Sequence, residues 1–109
     1  MSTVVVLNPT KGFTIANAQM SADQVTGATI EFGPTSGGPY TTIFAVPAAL
    51  VTAGEAAGSI LVPIGDVTLP SGVSYCVATI SNAAGQSAIS DEVGVQLLGV
   101  PSAPTFSVA

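Results

Sequence analysis

Short runs of apolar and β-branched residues recur along the chain, and its 12 glycines and 8 prolines fall mostly between them. This spacing is typical of an all-β sandwich or barrel. In residues 28–32, Ile30 and Phe32 alternate with Glu31, which places the two apolar side chains on one face of a strand. We therefore predict strands over residues 3–7, 12–16, 28–32, 40–46, 59–64, 73–81 and 86–98.

The segments between these strands differ in character. Residues 17–26 are small and polar and lack alternation, so they predict a loop. Residues 33–39 are rich in glycine and proline and predict the turn of a hairpin between the strands on either side. Residues 47–58 predict a loop, with one or two helical turns as the alternative because Pro47 suits a first helical position.

The last third of the chain carries the clearest local signal. Residues 73–81 and 86–98 predict two strands, and the sequence Asn-Ala-Ala-Gly at residues 82–85 predicts the turn between them. Asn82 and Gly85 are residue types that tolerate the positive φ angles of tight turns. A β-hairpin is therefore expected here.

Two stretches in this region carry a family resemblance. Residues 69–77 read Leu-Pro-Ser-Gly-Val-Ser-Tyr-Cys-Val, and residues 81–90 contain an Asn-x-x-Gly-x-Ser pattern that ends near a second serine. They resemble the closing strands of a fibronectin type III module. The resemblance implies an immunoglobulin-like antiparallel β-sandwich of about seven strands, with Leu69 plugging one end and Tyr75 forming a tyrosine corner. Another immunoglobulin-like topology is the alternative, because Pro70 directly follows the leucine and the chain has no tryptophan.

The length of 109 residues fits one domain. We expect a single β-sandwich over residues 1–98 and an extended C-terminal arm over residues 99–109. The arm has the prolines and apolar residues of a lead-in to a further module, or of a segment that adds to the sheet of a neighbouring subunit. The residues expected to form an interface are Tyr40, Val100, Pro101, Pro104 and Phe106.

This chain has few charged residues, which limits the classes of molecule that it is expected to bind. One Lys+Arg residue stands against six Asp+Glu residues, so 6% of residues are charged, where a typical domain has about 25%. A single basic residue cannot form the patch that binds nucleic acid phosphates or an anionic membrane surface. The longest apolar run, residues 43–51, is shorter than the roughly 20 residues of a membrane-spanning helix. We therefore expect no nucleic acid partner and no membrane span.

The residue types exclude most catalytic sites. Without histidine and with one cysteine, the chain cannot assemble a Cys-His pair, a Ser-His-Asp triad or a histidine-ligated metal site. Lys11 is expected to be a solvated turn cation, and Cys76 a packed core residue. Asp91 and Glu92 would point to opposite faces of a strand and act as charges that discourage edge pairing. We expect a protein that is not an enzyme and has no cofactor or metal ion.

A β domain with so few charges must expose many uncharged side chains, and such surfaces mark interfaces. By analogy of fold, the chain is expected to be a structural virion protein of a bacteriophage. It would be a capsid decoration or cement protein, or a tail accessory subunit, that forms oligomers with itself or binds other virion proteins. The start of the chain lacks the basic region of a signal peptide, which favours this location.

The alternative is an adhesion module of a bacterial cell-surface protein that binds carbohydrate or protein. The proline-spaced C-terminal segment favours this reading, because it resembles the lead-in to a following module. A structural subunit is expected to associate, whereas an isolated adhesion module is expected to be a monomer.

Overall fold

The computed structural model describes residues 4–7, 12–63, 67, 69–70, 72–97, 101 and 103–108. This part of the chain is mostly β-structure, which confirms the all-β prediction. Its strands and its one helix are β1 (Val4–Leu7), β2 (Gly12–Ala16), β3 (Gly27–Gly33), β4 (Thr42–Ala45), α1 (Ala48–Glu55), β5 (Ser59–Pro63), β6 (Gly72–Asn82), β7 (Gly85–Gln86) and β8 (Val93–Leu97).

The strands form two sheets of unequal size. The large sheet has the order β1-β8-β6-β3-β4, with the short β7 also paired to β6, and the small sheet contains β2 and β5. All pairs are antiparallel except β1 and β8, which run parallel from Val4↔Gly94 to Leu7↔Leu97. The expected antiparallel sandwich is corrected on this point: β1 lies at the edge of the large sheet beside the last strand, whereas β2 belongs to the small sheet.

The core lies between the two sheets because alternate residues of each strand face inward. Ile30 and Phe32 of β3 pair with Ala78 and Cys76 of β6, and all four belong to one apolar cluster. Burying a side chain such as isoleucine or phenylalanine contributes about 1.5–3 kcal/mol. The buried members of the cluster are Ile15, Met20, Val25, Ala28, Ile30, Phe32, Val46, Val51, Ile60, Val62, Val67, Leu69, Cys76 and Val95.

A helix occupies most of residues 47–58, so the loop predicted there is wrong and its helical alternative is right. Helix α1 begins after Pro47, whose extended backbone (φ −54°, ψ 139°) precedes the first turn. The alanines and leucine that follow are good helix formers. Val51 faces inward and is 2% exposed, which anchors the helix on the core.

Gly54 allows α1 to pack directly on the chain that leads into β5. A Cβ atom at Gly54 would lie 2.5 Å from the carbonyl oxygen of Ser59 and 2.7 Å from the Cα atom of Ile60. Both neighbours are backbone atoms, which cannot move aside as a side chain would. The close contact between α1 and β5 therefore depends on the absence of a side chain at this position.

Residues 17–26 form turns, as predicted, but they also contribute to the core. Met20 is 0% exposed and Val25 is 2% exposed, so this segment covers one end of the sandwich. The side-chain oxygen of Asn17 accepts a hydrogen bond from the backbone N–H of Gln19 at 2.8 Å, which fixes the start of the turns. The sequence did not indicate this packing, because two apolar residues among polar ones show no strand or helix period.

The strand predicted over residues 86–98 is interrupted, which corrects the simple hairpin expected there. β6 pairs with β7 at Ser81↔Gln86 and with β8 at Cys76↔Val93, and the residues between β7 and β8 form no strand. From Cys76 to Ser81, β6 advances five positions, whereas the facing segment advances seven from Gln86 to Val93. The two extra residues make the segment bulge away from a regular ladder.

Candidate interaction surfaces

Glu92 connects the segment before β8 to the loop between β3 and β4. Its carboxylate accepts hydrogen bonds from the Ser36 hydroxyl at 2.7 Å, from the Gly37 backbone N–H at 2.6 Å and from the Tyr40 hydroxyl. We call this arrangement the Glu92 latch. The expectation that Glu92 lies on a strand as an edge-blocking charge is wrong, because it precedes β8 and binds another loop.

The latch changes the chemistry of Tyr40, one of the expected interface residues. The hydrogen bond to Glu92 raises the pKa of the Tyr40 hydroxyl above its ordinary value, and burial and the nearby negative charge act in the same direction. The side chain is partly buried and its hydroxyl is already used. Its role at an interface stays a prediction, and only the exposed part of the ring could serve it.

Two serine hydroxyls complete the hydrogen bonding of β6 where the facing segment is irregular. The Ser87 and Ser90 hydroxyls accept hydrogen bonds from the backbone N–H groups of Ile80 at 3.1 Å and Ala78 at 2.9 Å. The N–H groups of the same serines donate to the carbonyl oxygens of Ile80 at 2.8 Å and Ala78 at 2.9 Å. Both serines belong to the stretch that resembles a fibronectin type III module.

Residues 87–92, which link β7 to β8 without forming a strand, are called the irregular segment. A groove runs between β2 and this segment, and we call it the lateral slot. Its volume is about 550 Å³, and its apolar lining includes Ile15 of β2, Ala78 and Ile80 of β6, and Val93 of β8. A smaller cavity of about 80 Å³ shares several of these residues and reaches inward to Phe13. In the described part of the chain, β5 is the one strand paired with β2, so the other edge of β2 faces this slot.

The outer face of the large sheet, on the side away from the core, carries few charges. The hydroxyls of Thr29 and Thr79 lie 2.5 Å apart, and the Gln86 side-chain amide donates to Thr79 at 2.7 Å. These polar groups therefore satisfy one another rather than pointing to a ligand. On the same face, Ile43 of β4 is 63% exposed and pairs with Glu31.

Apolar side chains are exposed on several separate elements. Leu61 on the outer face of β5 is 65% exposed and Ile89 in the irregular segment is 54% exposed. In the C-terminal arm, Phe106 is 94% exposed and Val108 is 95% exposed.

The expected interface residues of the arm are accordingly open to contact. Pro101, Pro104 and Phe106 lie outside any strand or helix and are exposed, while Val100 lies outside the described residues.

The two residues implied by the family resemblance take different positions. Leu69 is 8% exposed within the core cluster, and its N–H donates to the carbonyl oxygen of Val67 at 3.0 Å. Tyr75 is next to Cys76, which faces the core, so Tyr75 points to the outer face of the sheet. Among the described residues no hydrogen bond to the Tyr75 hydroxyl is present, and its corner role stays a prediction.

The turn between β6 and β7 is held by Asn82. Its side-chain oxygen accepts from the Ala84 N–H at 2.9 Å, and its side-chain amide donates to the carbonyl oxygen of Asp23 at 2.8 Å. Gly85 has a φ of 144°, which side-chain-bearing residues rarely adopt. Asn82 thus acts through its side chain, and Gly85 through its backbone conformation.

Among the described residues, those that could carry chemistry are buried or dispersed, and Lys11 lies outside them. Burial, helped by the charge of Glu92, raises the pKa of the Cys76 thiol to about 11, which keeps it in the unreactive protonated form. Within the described residues, no three His, Cys, Asp or Glu side chains come together as a metal site would require. The same part of the chain contains no helix with the length and hydropathy needed to cross a membrane.

Comparisons with known proteins add no family. A scan against protein-family models and searches of curated proteins and of solved structures found no match to this chain. The geometry described above is therefore the basis for a functional proposal.

Proposed function

We propose that this chain is a structural virion protein without enzymatic activity. It serves as a small capsid decoration or cement protein, or as a tail accessory subunit, and binds other virion proteins through uncharged surfaces. The observation that carries the proposal is the exposure of apolar side chains on a surface with very few charges. The assignment to a virion rests on analogy with other small β-sandwich subunits.

The exposed apolar residues support association because few charged residues share the surface with them. Isolated exposed apolar side chains are common on monomeric proteins and need no explanation. Here Ile43, Leu61 and Ile89 are each more than half exposed, on three different elements, in a chain with 6% charged residues. These apolar side chains leave water when subunits associate, which favours association, so contact with other subunits is the expected state.

We further propose that the sandwich is immunoglobulin-like, of the fibronectin type III kind. The support is its strand order. In an immunoglobulin-type sandwich, the third, sixth and seventh strands share one sheet, and the second and fifth strands share the other. When the two-residue β7 is left out, β8 is the seventh strand. Accordingly, β3, β6 and β8 lie in the large sheet with β6 in the middle, and β2 pairs with β5 in the small one.

Sedimentation velocity over a range of protein concentrations tests association. We expect oligomers whose proportion rises with concentration. A chain that remains monomeric at all concentrations, and that binds immobilised glycans instead, would favour the adhesion module.

Mass spectrometry of purified virus particles whose genome encodes this chain tests whether the chain is part of the virion. We expect the chain at a fixed ratio to the major capsid or tail protein. Its absence from intact particles would remove the virion assignment.

A further inference from the structure

The lateral slot exists because the small sheet is too narrow to cover the large one. Helix α1 packs beside β5 and so extends the cover on one side of the small sheet. On the other side, β2 has no strand partner in the described part of the chain. The side chains of Ile80 and Val93 consequently line an open groove, and Val93 is 45% exposed. One additional strand beside β2 would close the sandwich.

The edge of β2 suits a strand that arrives from outside. A free strand edge presents a row of backbone N–H and carbonyl groups, and an extended peptide can pair with them. Phe13 and Ile15 face the core side, and Thr14 and Ala16 are exposed on the outer side. An added strand would therefore turn every second side chain into the slot.

The C-terminal arm has the chemistry that this slot requires. Residues 105–108 read Thr-Phe-Ser-Val, so Phe106 and Val108 fall on one face of an extended strand, and Thr105 and Ser107 on the other. Pro104 precedes this stretch and has no N–H to donate, which limits pairing to the residues that follow it. The arm contains no charged side chain, and Asp91 is the one charged residue that lines the slot.

The arm does not fill the slot of its own subunit in this structure, because Phe106 is 94% exposed. The direction of β8 explains this. β8 ends at Leu97, which pairs with Gly72, whereas the slot lies near Ile80 towards the other end of β6. The arm therefore leaves the sheet at the end of β6 that is far from the slot. The molecule extends 67 Å along its longest axis against 27 and 19 Å across.

We propose that residues 105–108 of a second copy of this chain add as a strand to the free edge of β2. Phe106 and Val108 enter the lateral slot, and the arm of each subunit thereby closes the sandwich of another. The inference rests on the proposed role in an assembly and names the contact that builds it. A reciprocal exchange gives a dimer, and a head-to-tail exchange gives a ring or filament.

Disulfide trapping in the full chain tests the position of the arm. We test the register in which Ser107 lies opposite Thr14, where the variant Thr14→Cys with Ser107→Cys has both thiols on the outer side of the new strand pair. Directly paired residues lie within the roughly 7 Å Cα separation that a disulfide allows. Leu61 is the control position, because it pairs with Thr14 and is exposed but lies one strand further from the arm. The buried Cys76 thiol remains in both variants.

We expect disulfide-linked dimers and larger species from the Thr14→Cys pair on non-reducing gels. The matched Leu61→Cys variant with Ser107→Cys should give several-fold fewer. Equal yields from both variants, or a disulfide within a single chain, would overturn the proposal.

Two variants that place a negative charge on opposite faces of the arm distinguish the arm exchange from the broader proposal that the chain is a virion subunit. Phe106→Asp puts a carboxylate into the slot and is expected to reduce the oligomer fraction in sedimentation velocity at least tenfold. Ser107→Asp adds the same charge on the outer face and should leave assembly unchanged. Oligomers that persist in Phe106→Asp would contradict the arm exchange but keep the proposed function. A wild-type chain that neither associates nor occurs in virus particles would contradict both.

Discussion

At the scale of single residues, the Glu92 carboxylate organises a loop that lies far from it in sequence. The residues it binds in that loop, Ser36, Gly37 and Tyr40, precede it by 52 to 56 positions. No local pattern connects a glutamate before one strand to a glycine-rich turn after another. The sequence therefore predicts the glycine-rich turn, but it places Glu92 on a strand and does not indicate the contact, which exists only once β3, β6 and β8 are paired.

Removing the negative charge of the latch should destabilise the fold. Hydrogen bonds to charged groups contribute about 1.5–3 kcal/mol when buried, and partial exposure reduces this, so we expect Glu92→Gln to lower the free energy of unfolding by about 1 kcal/mol. Urea denaturation measures the change. Asp91→Asn is the matched control, since its carboxylate lies outside the latch, and it should stay within about 0.5 kcal/mol. Equal effects of the two variants would contradict the latch.

The raised pKa of Tyr40 predicts how stability depends on alkaline pH. Because the protonated hydroxyl is favoured in the folded state, its contribution is fully present below the ordinary pKa of 10.0 and is lost as pH rises through the folded-state value. Tyr75→Phe leaves Tyr40 as the sole tyrosine, so absorbance near the phenolate band reports its titration. We expect a midpoint above 10.0, which moves down when Glu92→Gln is added.

An unmoved midpoint in the doubly substituted chain would show that the Glu92 hydrogen bond does not set this pKa. The unfolding free energy gives a second check. Tyr40→Phe should remove the part of the alkaline stability loss that Tyr40 causes.

At the scale of elements, prediction succeeded where the signal was local. The strand alternation around Ile30 and the turn-forming residues between β6 and β7 act over a few positions, so the sequence alone indicates them. The interruption between β7 and β8 was not foreseen, because Ser87 and Ser90 look like ordinary residues of a strand edge. Only the fold shows that their hydroxyls replace regular pairing with β6.

In helix α1, tight packing is expected to outweigh the higher helix propensity of alanine over glycine at residue 54. Replacing glycine with alanine inside a helix normally stabilises it by up to about 1 kcal/mol. At Gly54 the added methyl group would meet the backbone of Ser59 at 2.5 Å, so we expect Gly54→Ala to destabilise the protein by about 1–3 kcal/mol. Thermal and urea unfolding measure this.

The neighbouring position provides the comparison for the helix. Ala53 is exposed, and Ala53→Gly should destabilise by about 1 kcal/mol through propensity alone. A stabilised Gly54→Ala variant would show that α1 is free to move away from β5.

At the scale of the whole molecule, scarce charge predicts how association responds to salt. Raising sodium chloride from about 0.1 M to 1 M shortens the screening length from roughly 10 Å to 3 Å and would weaken contacts made by ion pairs. Contacts between uncharged surfaces should persist, and sulfate should strengthen them. We expect the oligomer fraction in sedimentation velocity to stay constant or rise with salt. Dissociation at high salt would indicate that ion pairs between the few charged groups carry the association.

The parallel pairing of β1 with β8 has a mechanical consequence. The chain enters β1 at Val4 and leaves β8 at Leu97, so the two outer ends of this strand pair lie at opposite ends of the sheet. Tension applied to the termini would slide the strands past each other and load all their backbone hydrogen bonds together. Single-molecule stretching should therefore show a higher rupture force between the termini than between two points that peel β3 from β4.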